Sequence, residues 1–204
     1  MVSSVKAITG ESCCQIFVGL TSGLTYCYGM KTESEGASKL QEFIRQVGAP
    51  FSLQNDNSKM QRSTAFLDIC NLYNIGTETT EPHHPHQNPA ENRIGTLKSM
   101  SHRLMDRVGA PEFLWLRCIN YLCGLLNVMA SQNLNWRTPM EKGLGITPDI
   151  SAYLHFSFYE PVYYLDDDGA KYHIKKHASK NEKKKWRNIL CIGSTFVSLK
   201  GHRG

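Results

Sequence analysis

The sequence predicts an α/β domain in which a mixed sheet is covered by helices, followed by a small β appendage. Three observations carry this. Short apolar runs rich in β-branched and aromatic residues open the chain, separated by turn residues. Segments with apolar residues at 3.6-residue spacing are then interleaved with further short strands. After Pro148 the texture changes to aromatic strands around a strongly basic stretch.

Val2, Val5 and Ala7-Ile8 predict a first strand ending at a Gly10 turn. CCQIFVGL at 13–20 and LTYCYGM at 24–30 predict the next two, joined through Thr21-Ser22-Gly23. The result is a three-stranded meander. Ala37, Leu40, Ile44 and Val47 predict a helix over 35–47, which Pro50 ends. A short strand at 51–53 leads into the polar turn Gln54-Asn55-Asp56-Asn57. A second helix is predicted over 63–73, with Phe66, Ile69, Cys70 and Tyr73 on one side, and a brief strand at 77–80. The order β-β-β-α-β-α-β implies a mixed sheet with helical cover.

The run HHPHQNP at 83–89 has no hydrophobic period and predicts a loop. A helix over 90–108 carries its apolar stripe on Ile94, Leu97, Leu104 and Val108, with Glu91, Lys98 and His102 on another face. The more apolar helix over 112–130 is expected at the centre of the packing. The core is expected to close near residue 150, leaving 151–204 as a basic linker and partial C-terminal β segment.

With 204 residues, 41% of them hydrophobic, the chain can build one core with a small appendage. No apolar run approaches the ~18 residues needed to span a bilayer, and no signal peptide is visible, so no membrane partner is expected. The seven cysteines include no C-x-x-C pair and no zinc-ligand pattern, and read as reduced, mostly buried thiols of an intracellular protein. The formal net charge of +5 is uneven. Residues 1–91 hold 6 basic and 9 acidic side chains, and residues 92–204 hold 17 basic and 9 acidic, a net of +8. A polyanion suits that second half, and so does a merely solubilising tail.

Asp56 directly follows the fourth predicted strand, and Glu91 opens the helix after the Pro/His loop. A strand end and a helix start packed together bring two such carboxylates to one point. Mg²⁺ or Mn²⁺ takes such oxygen ligands, and a metal pair there serves phosphoryl transfer. The plainer reading is that Asp56 is a turn former and Glu91 complements the helix dipole.

The motif context favours the first reading. Asn88-Pro89-Ala90-Glu91-Asn92-Arg93, preceded by Pro85 and Gln87, resembles the P-x-x-N-G-x-x-E-R signature of retroviral and retrotransposon integrases. Asn55-Asp56-Asn57 resembles the segment holding that family's second catalytic Asp, and the 34 residues between Asp56 and Glu91 approach the spacing of its D-D-35-E pattern. IFVGLTSGLTYCYGM at 16–30 is similar to its early hairpin, and Thr138-Pro139-Met140-Glu141 to the T-P-x-E of copia-type members. Phe158 to Tyr164 resembles the strand that begins the region beyond the family's core. The resemblance implies a ribonuclease H-like, five-stranded mixed sheet and Mg²⁺- or Mn²⁺-dependent DNA strand transfer. It assigns catalysis and metal binding to Asp56 and Glu91. DNA is the implied partner, homo-oligomers are implied as the working state, and a nuclear or retroelement-particle location follows. A small-molecule substrate is not expected.

The departures from the family are specific. Its first catalytic Asp belongs in the first strand, where Ser3 to Ile8 contains no carboxylate. Counted back from Ser22-Gly23, that Asp falls near or before Met1, so the copy reads as truncated before, or lacking, its first Asp. Ser58 stands near a favoured Gly, Lys59 and Met60 replace an acidic position, and Pro89 replaces the glycine of N-G. Impaired chemistry is therefore expected. The alternatives are a catalytically dead DNA-binding or self-associating scaffold and a polyprotein fragment without function; a different nuclease of the same fold is disfavoured by the Glu91 motif and T-P-M-E.

Nucleic-acid contact is expected from Arg93, Lys98 and His102 around Glu91, against a reading of each as an ordinary surface residue. It is expected also from Lys175, Lys176, Lys183, Lys184, Lys185 and Arg187, with Lys180 among them and Trp186 able to stack. His83, His84 and His86 read as loop residues rather than zinc ligands.

Overall fold

The computed structural model describes residues 1–55, 61–79, 89–165, 186–192 and 195–198, the last three strands by their backbone. β1 (Cys13–Val18) and β2 (Thr25–Met30) form an antiparallel hairpin, in register from Cys13 opposite Met30 to Val18 opposite Thr25. Its turn closes where the Gly19 N–H donates to the Leu24 carbonyl at 2.8 Å, and Gly23 takes φ +74°, a conformation glycine adopts without steric cost. The period of two sends Gln15, Phe17, Tyr26 and Tyr28 to one face and Cys14, Ile16 and Cys27 to the other.

Both faces are covered. On the first lie α1 (Gly36–Val47) and α2 (Thr64–Leu72), burying Leu40, Phe43, Ile44, Phe66, Ile69 and Cys70 with Phe17 and Tyr28. Phe17 stacks on Phe43 with ring centroids 4.4 Å apart. On the second lie α3 (Pro89–Val108) and α4 (Trp115–Val128). Leu97, Trp115, Leu116, Cys118, Ile119, Leu122 and Cys123 form that core with Cys14. The small Ser101 and Cys118 sit where α3 and α4 meet, both buried. Phe158 is fully buried in the same core, beside Tyr121.

β3 (Ser52–Asn55) and β4 (Gly76–Thr79) pair in parallel through the crossover helix α2, from Ser52 opposite Gly76 to Asn55 opposite Thr79. The single five-stranded sheet expected from the sequence is not seen among the described residues: β1-β2 and β3-β4 are separate two-stranded ladders. The expected strand over 2–8 is also absent. Only Val2 makes a bridge, to Cys13. From there the segment leaves the ladder: the Trp115 indole donates to the Val5 carbonyl at 2.9 Å, Ile8 N–H donates to the Phe113 carbonyl at 2.9 Å, and Ala7 to Gly10 closes a turn. Ser3, Ser4 and Lys6 interrupt the apolar alternation a buried strand needs, and the start of α4 takes up the backbone groups instead.

The helix predicted over 112–130 begins as a 3₁₀ turn at Glu112–Leu114 and continues as α4. The T-P-M-E segment is the start of α5 (Pro139–Leu144). Thr138 caps it, accepting from the Glu141 N–H at 3.0 Å while the Glu141 carboxylate accepts from the Thr138 N–H at 2.9 Å. Proline at the first helical position completes the start signal. α6 (Ser151–His155) follows, and then β5 (Pro161–Leu165), β6 (Trp186–Ile192) and β7 (Thr195–Ser198) form an antiparallel three-stranded sheet in the order β5-β6-β7. Trp186 and Arg187, expected in a linker, belong to β6.

Candidate functional site

α3 begins at Pro89, where the missing N–H is one the first turn leaves unbonded in any case. The proline that departs from the integrase motif thus starts a helix. Glu91 lies in the first turn, exposed, where the helix dipole favours a carboxylate. Leu97 and Ser101 are buried about 100° round the helix, and Glu91, Gly95, Lys98 and His102 share one exposed strip. A rise of ~1.5 Å per residue spreads Glu91, Lys98 and His102 over roughly 16 Å. Arg103 and Arg107, both exposed, carry positive charge on a different face of the helix, more than ~100° round from that strip. Sequence reasoning did not single them out, although the same helical periodicity marks them.

Arg93 is half-buried, and its Nη2 donates to the Gly23 carbonyl at 3.5 Å. That contact ties the first turn of α3 to the turn of the β1-β2 hairpin. The residue expected to touch phosphate therefore also has a positioning contact within the chain.

Glu91, with Ala90 and Ile94, lines a cavity of about 580 Å³ that runs along β1 and reaches Ser52, Leu53 and Gln54 of β3. Asp56 follows β3 in sequence but lies outside the described residues, as do His83, His84, His86, Lys175, Lys176, Lys180, Lys183, Lys184 and Lys185. Arg187 is described only through its backbone, which pairs with Tyr164.

The fit of a divalent metal can be tested on the donor set. Among the described residues no group of three or more His, Cys, Asp and Glu side chains is arranged to hold a metal ion. Glu91 offers hard oxygen donors alone, so the described residues do not by themselves make a magnesium site.

Sequence reasoning also missed two neighbouring features. Gln15 is 93% buried by its 7% exposure, and its side-chain oxygen, like that of Gln61, is buried without a hydrogen-bond partner; both residues line the cavity. Beneath α3, the thiols of Cys14, Cys27 and Cys123 meet. Hydrogen bonds to Cys123 and Cys14, together with burial, hold the Cys27 thiol well above its ordinary range. Nothing in their spacing along the sequence announces this cluster.

No family model matches the chain, and no curated protein matches it. Solved structures do. The HTLV-2 integrase catalytic core domain in complex with magnesium superimposes in its trimeric form with a TM-score of 0.54 at 22% identity, over 70% of this chain and 92% of that one. Its dimeric form gives 0.53 at 22%, over 70% and 91%. The simian T-cell lymphotropic virus intasome, in complex with PP2A regulatory subunit B56 gamma, gives 0.52 at 16% identity, over 92% of this chain and 72% of that one. At these identities the likeness is one of fold: this chain has a mixed α/β fold that resembles a retroviral integrase catalytic core.

Proposed function

We propose that this chain is an integrase-like, nucleic-acid-binding domain of copia-type retrotransposon origin whose ancestral Mg²⁺-dependent DNA strand transfer is impaired. The observation that carries the reading is the strip Glu91–Lys98–His102, exposed on α3 beside the cavity between the two β ladders, in a fold similar to integrase cores. Lys98 supplies positive charge for phosphate, a contact that positions a duplex without reading its sequence. The Arg93 tether fixes the start of α3 against the hairpin, so Glu91 and Lys98 are presented on a rigid element. The basic segment 171–187, with eight Lys/Arg against one Glu, adds non-specific attraction.

Impairment rests on the donors. The segment Ser3–Ile8 carries no carboxylate to serve beside Asp56 and Glu91. Asp56 and Glu91 remain the proposed metal ligands and Mg²⁺ or Mn²⁺ the ancestral cofactor. Self-association is part of the proposal, since the similar HTLV-2 core is described in dimeric and trimeric forms. A nuclear or retroelement-particle location follows from the same reading. So does the division into a core over 1–150 and a basic C-terminal segment.

The experiment is binding to labelled duplex DNA of two unrelated sequences across a salt series. The reading expects affinity that falls steeply with salt, and a Lys98→Glu variant that loses affinity on both sequences with a salt slope lower by about one or more. Binding that ignores salt, or a Lys98→Glu variant indistinguishable from the parent, contradicts it.

A further inference from the structure

We infer that Trp136, in the loop joining α4 to α5, is a stacking platform for an unpaired nucleobase, with Arg137 beside it for phosphate. The inference rests on the proposed nucleic-acid binding and adds a single-stranded part to its ligand.

The loop is built to hold one conformation. Ser131 bridges Arg137 antiparallel, its N–H donating to the Arg137 carbonyl at 3.2 Å. The Ser131 carbonyl accepts from the Leu134 and Trp136 N–H groups at 3.1 and 2.9 Å. Asn135 N–H donates to the Gln132 carbonyl at 3.0 Å, and Arg137 N–H to the Leu134 carbonyl at 3.2 Å. Closing so short a loop takes two consecutive residues into the left-handed region, Asn135 at φ +54° and Trp136 at φ +63°. Asparagine tolerates that conformation, whereas a bulky side chain opposes it. The indole gains little burial in return, being 73% exposed. Trp115 makes the contrast: it is buried, and its indole N–H donates to the Val5 carbonyl. A strained backbone that presents a bare aromatic plane points to a ligand for that plane.

The surroundings decide the class of ligand. Gln132, Asn133, Asn135 and Arg137 are all exposed around the indole, and the one other apolar side chain between 132 and 137, Leu134, is half-buried. Residues 129–140 hold no carboxylate. Glu141, the next acidic residue, is turned onto Thr138 and Thr147. An aromatic plane among amide donors and a guanidinium suits a base with its phosphate, because every base has a face to stack and every phosphate a charge to meet. A protein-docking anchor would sit in an apolar pocket instead.

The loop also adjoins the α3 site. Arg93 and Pro139 approach the same hairpin turn: a Cβ at Gly23 would lie 3.5 Å from Arg93 Nη2 and 3.9 Å from Pro139 Cγ. The step from Trp136 to Pro139 spans about 11 Å at most. A duplex end held at Arg93 and Lys98 therefore has the indole within reach of its first unpaired nucleotides.

The test measures affinity at one salt concentration for three ligands: a blunt duplex, the same duplex with a short thymidine overhang, and one with an abasic overhang of equal charge. The proteins are the parent, Trp136→Ala and Trp136→Phe. The parent is expected to prefer the thymidine overhang over the abasic one by about tenfold. Trp136→Ala loses that preference with its Tm unchanged, and Trp136→Phe, which keeps a ring, retains part of it. Quenching of tryptophan fluorescence by thymidine accompanies binding in the parent and is smaller in Trp136→Phe. No preference in the parent, or an equal one in Trp136→Ala, overturns the inference, while salt-sensitive binding of the blunt duplex in the same samples leaves the wider nucleic-acid reading standing. Thymidine-dependent quenching without any blunt-duplex binding upholds the platform and removes that wider reading. A lower Tm in Trp136→Ala, or self-association of the parent that this variant loses, assigns the indole to the fold or to a second copy and overturns the inference.

Discussion

Asn127 and Thr25, more than a hundred residues apart, hold each other by two buried hydrogen bonds. The Thr25 N–H donates to Asn127 Oδ1 at 2.8 Å, and Asn127 Nδ2 donates to the Thr25 carbonyl at 2.9 Å. Thr25 opens β2, and its backbone groups point away from β1, so the side-chain amide on α4 satisfies the outer edge of the hairpin as another strand would. Both residues are buried, at 1% and 7% exposure.

Asn127→Leu removes both partners and strands two buried backbone groups. The expected cost is about 2–4 kcal/mol, read by urea unfolding. Asn127→Asp keeps the acceptor but buries a carboxylate oxygen against the Thr25 carbonyl, so it should cost at least as much as Leu. A Leu variant as stable as the parent would show that the clamp contributes nothing.

Thr138→Ala removes the helix cap of α5 and should cost about 1 kcal/mol. The same cap has a pH signature. The Thr138 backbone N–H, then the Thr147 and Thr138 hydroxyls, hold the Glu141 carboxyl below its ordinary range. Its folded pKa is depressed, so its contribution is present above the unfolded value of about 4.3 and lost as pH falls through the folded one. Denaturant unfolding of the parent and Glu141→Gln should therefore differ near neutrality and converge in acid.

Gly143 is the point where α5 rests on the hairpin turn, and a Cβ there would run into the Leu24 side chain and the Ser22 Cβ. Leu24 is buried and has little room to yield. Gly143→Ala should lose about 1–3 kcal/mol by overpacking, seen as a lower Tm, despite alanine's better helix propensity.

The thiols should divide sharply in alkylation. Burial pushes the Cys118 thiol up to about 12, and Cys27 is held high by its hydrogen bonds to Cys123 and Cys14. Site-resolved mass spectrometry after brief alkylation near pH 8 should find both unmodified in native protein and both modified in denaturant.

The helices were legible because each shows its face. The stripe of Leu40, Ile44 and Val47 sets α1, and Leu97 with Ser101 turns α3 so that Glu91, Lys98 and His102 share the exposed side. The T-P-M-E segment was legible as a family mark, and the structure supplies its physical meaning as a capping box with Pro at the first helical position. Val2, Val5 and Ile8 misled because alternation records which side chains can be buried, not which backbone groups bond: those of Val5 and Ile8 go to Trp115 and Phe113. Long-range pairs such as Thr25–Asn127 leave no local pattern at all. Of the candidate site, Glu91, Lys98 and His102 were readable from one helix, whereas Gln15 reads in sequence as an ordinary polar strand residue and its burial is decided by α1 and α2 above it.

The most direct test of the central claim is Mn²⁺-dependent strand transfer on labelled duplex DNA, with binding followed in the same samples, for the parent and for Asp56→Asn with Glu91→Gln. The account predicts salt-sensitive binding by both proteins and no joining by either. Joining by the parent that disappears in the double variant would contradict it, because two carboxylates would then suffice for the chemistry.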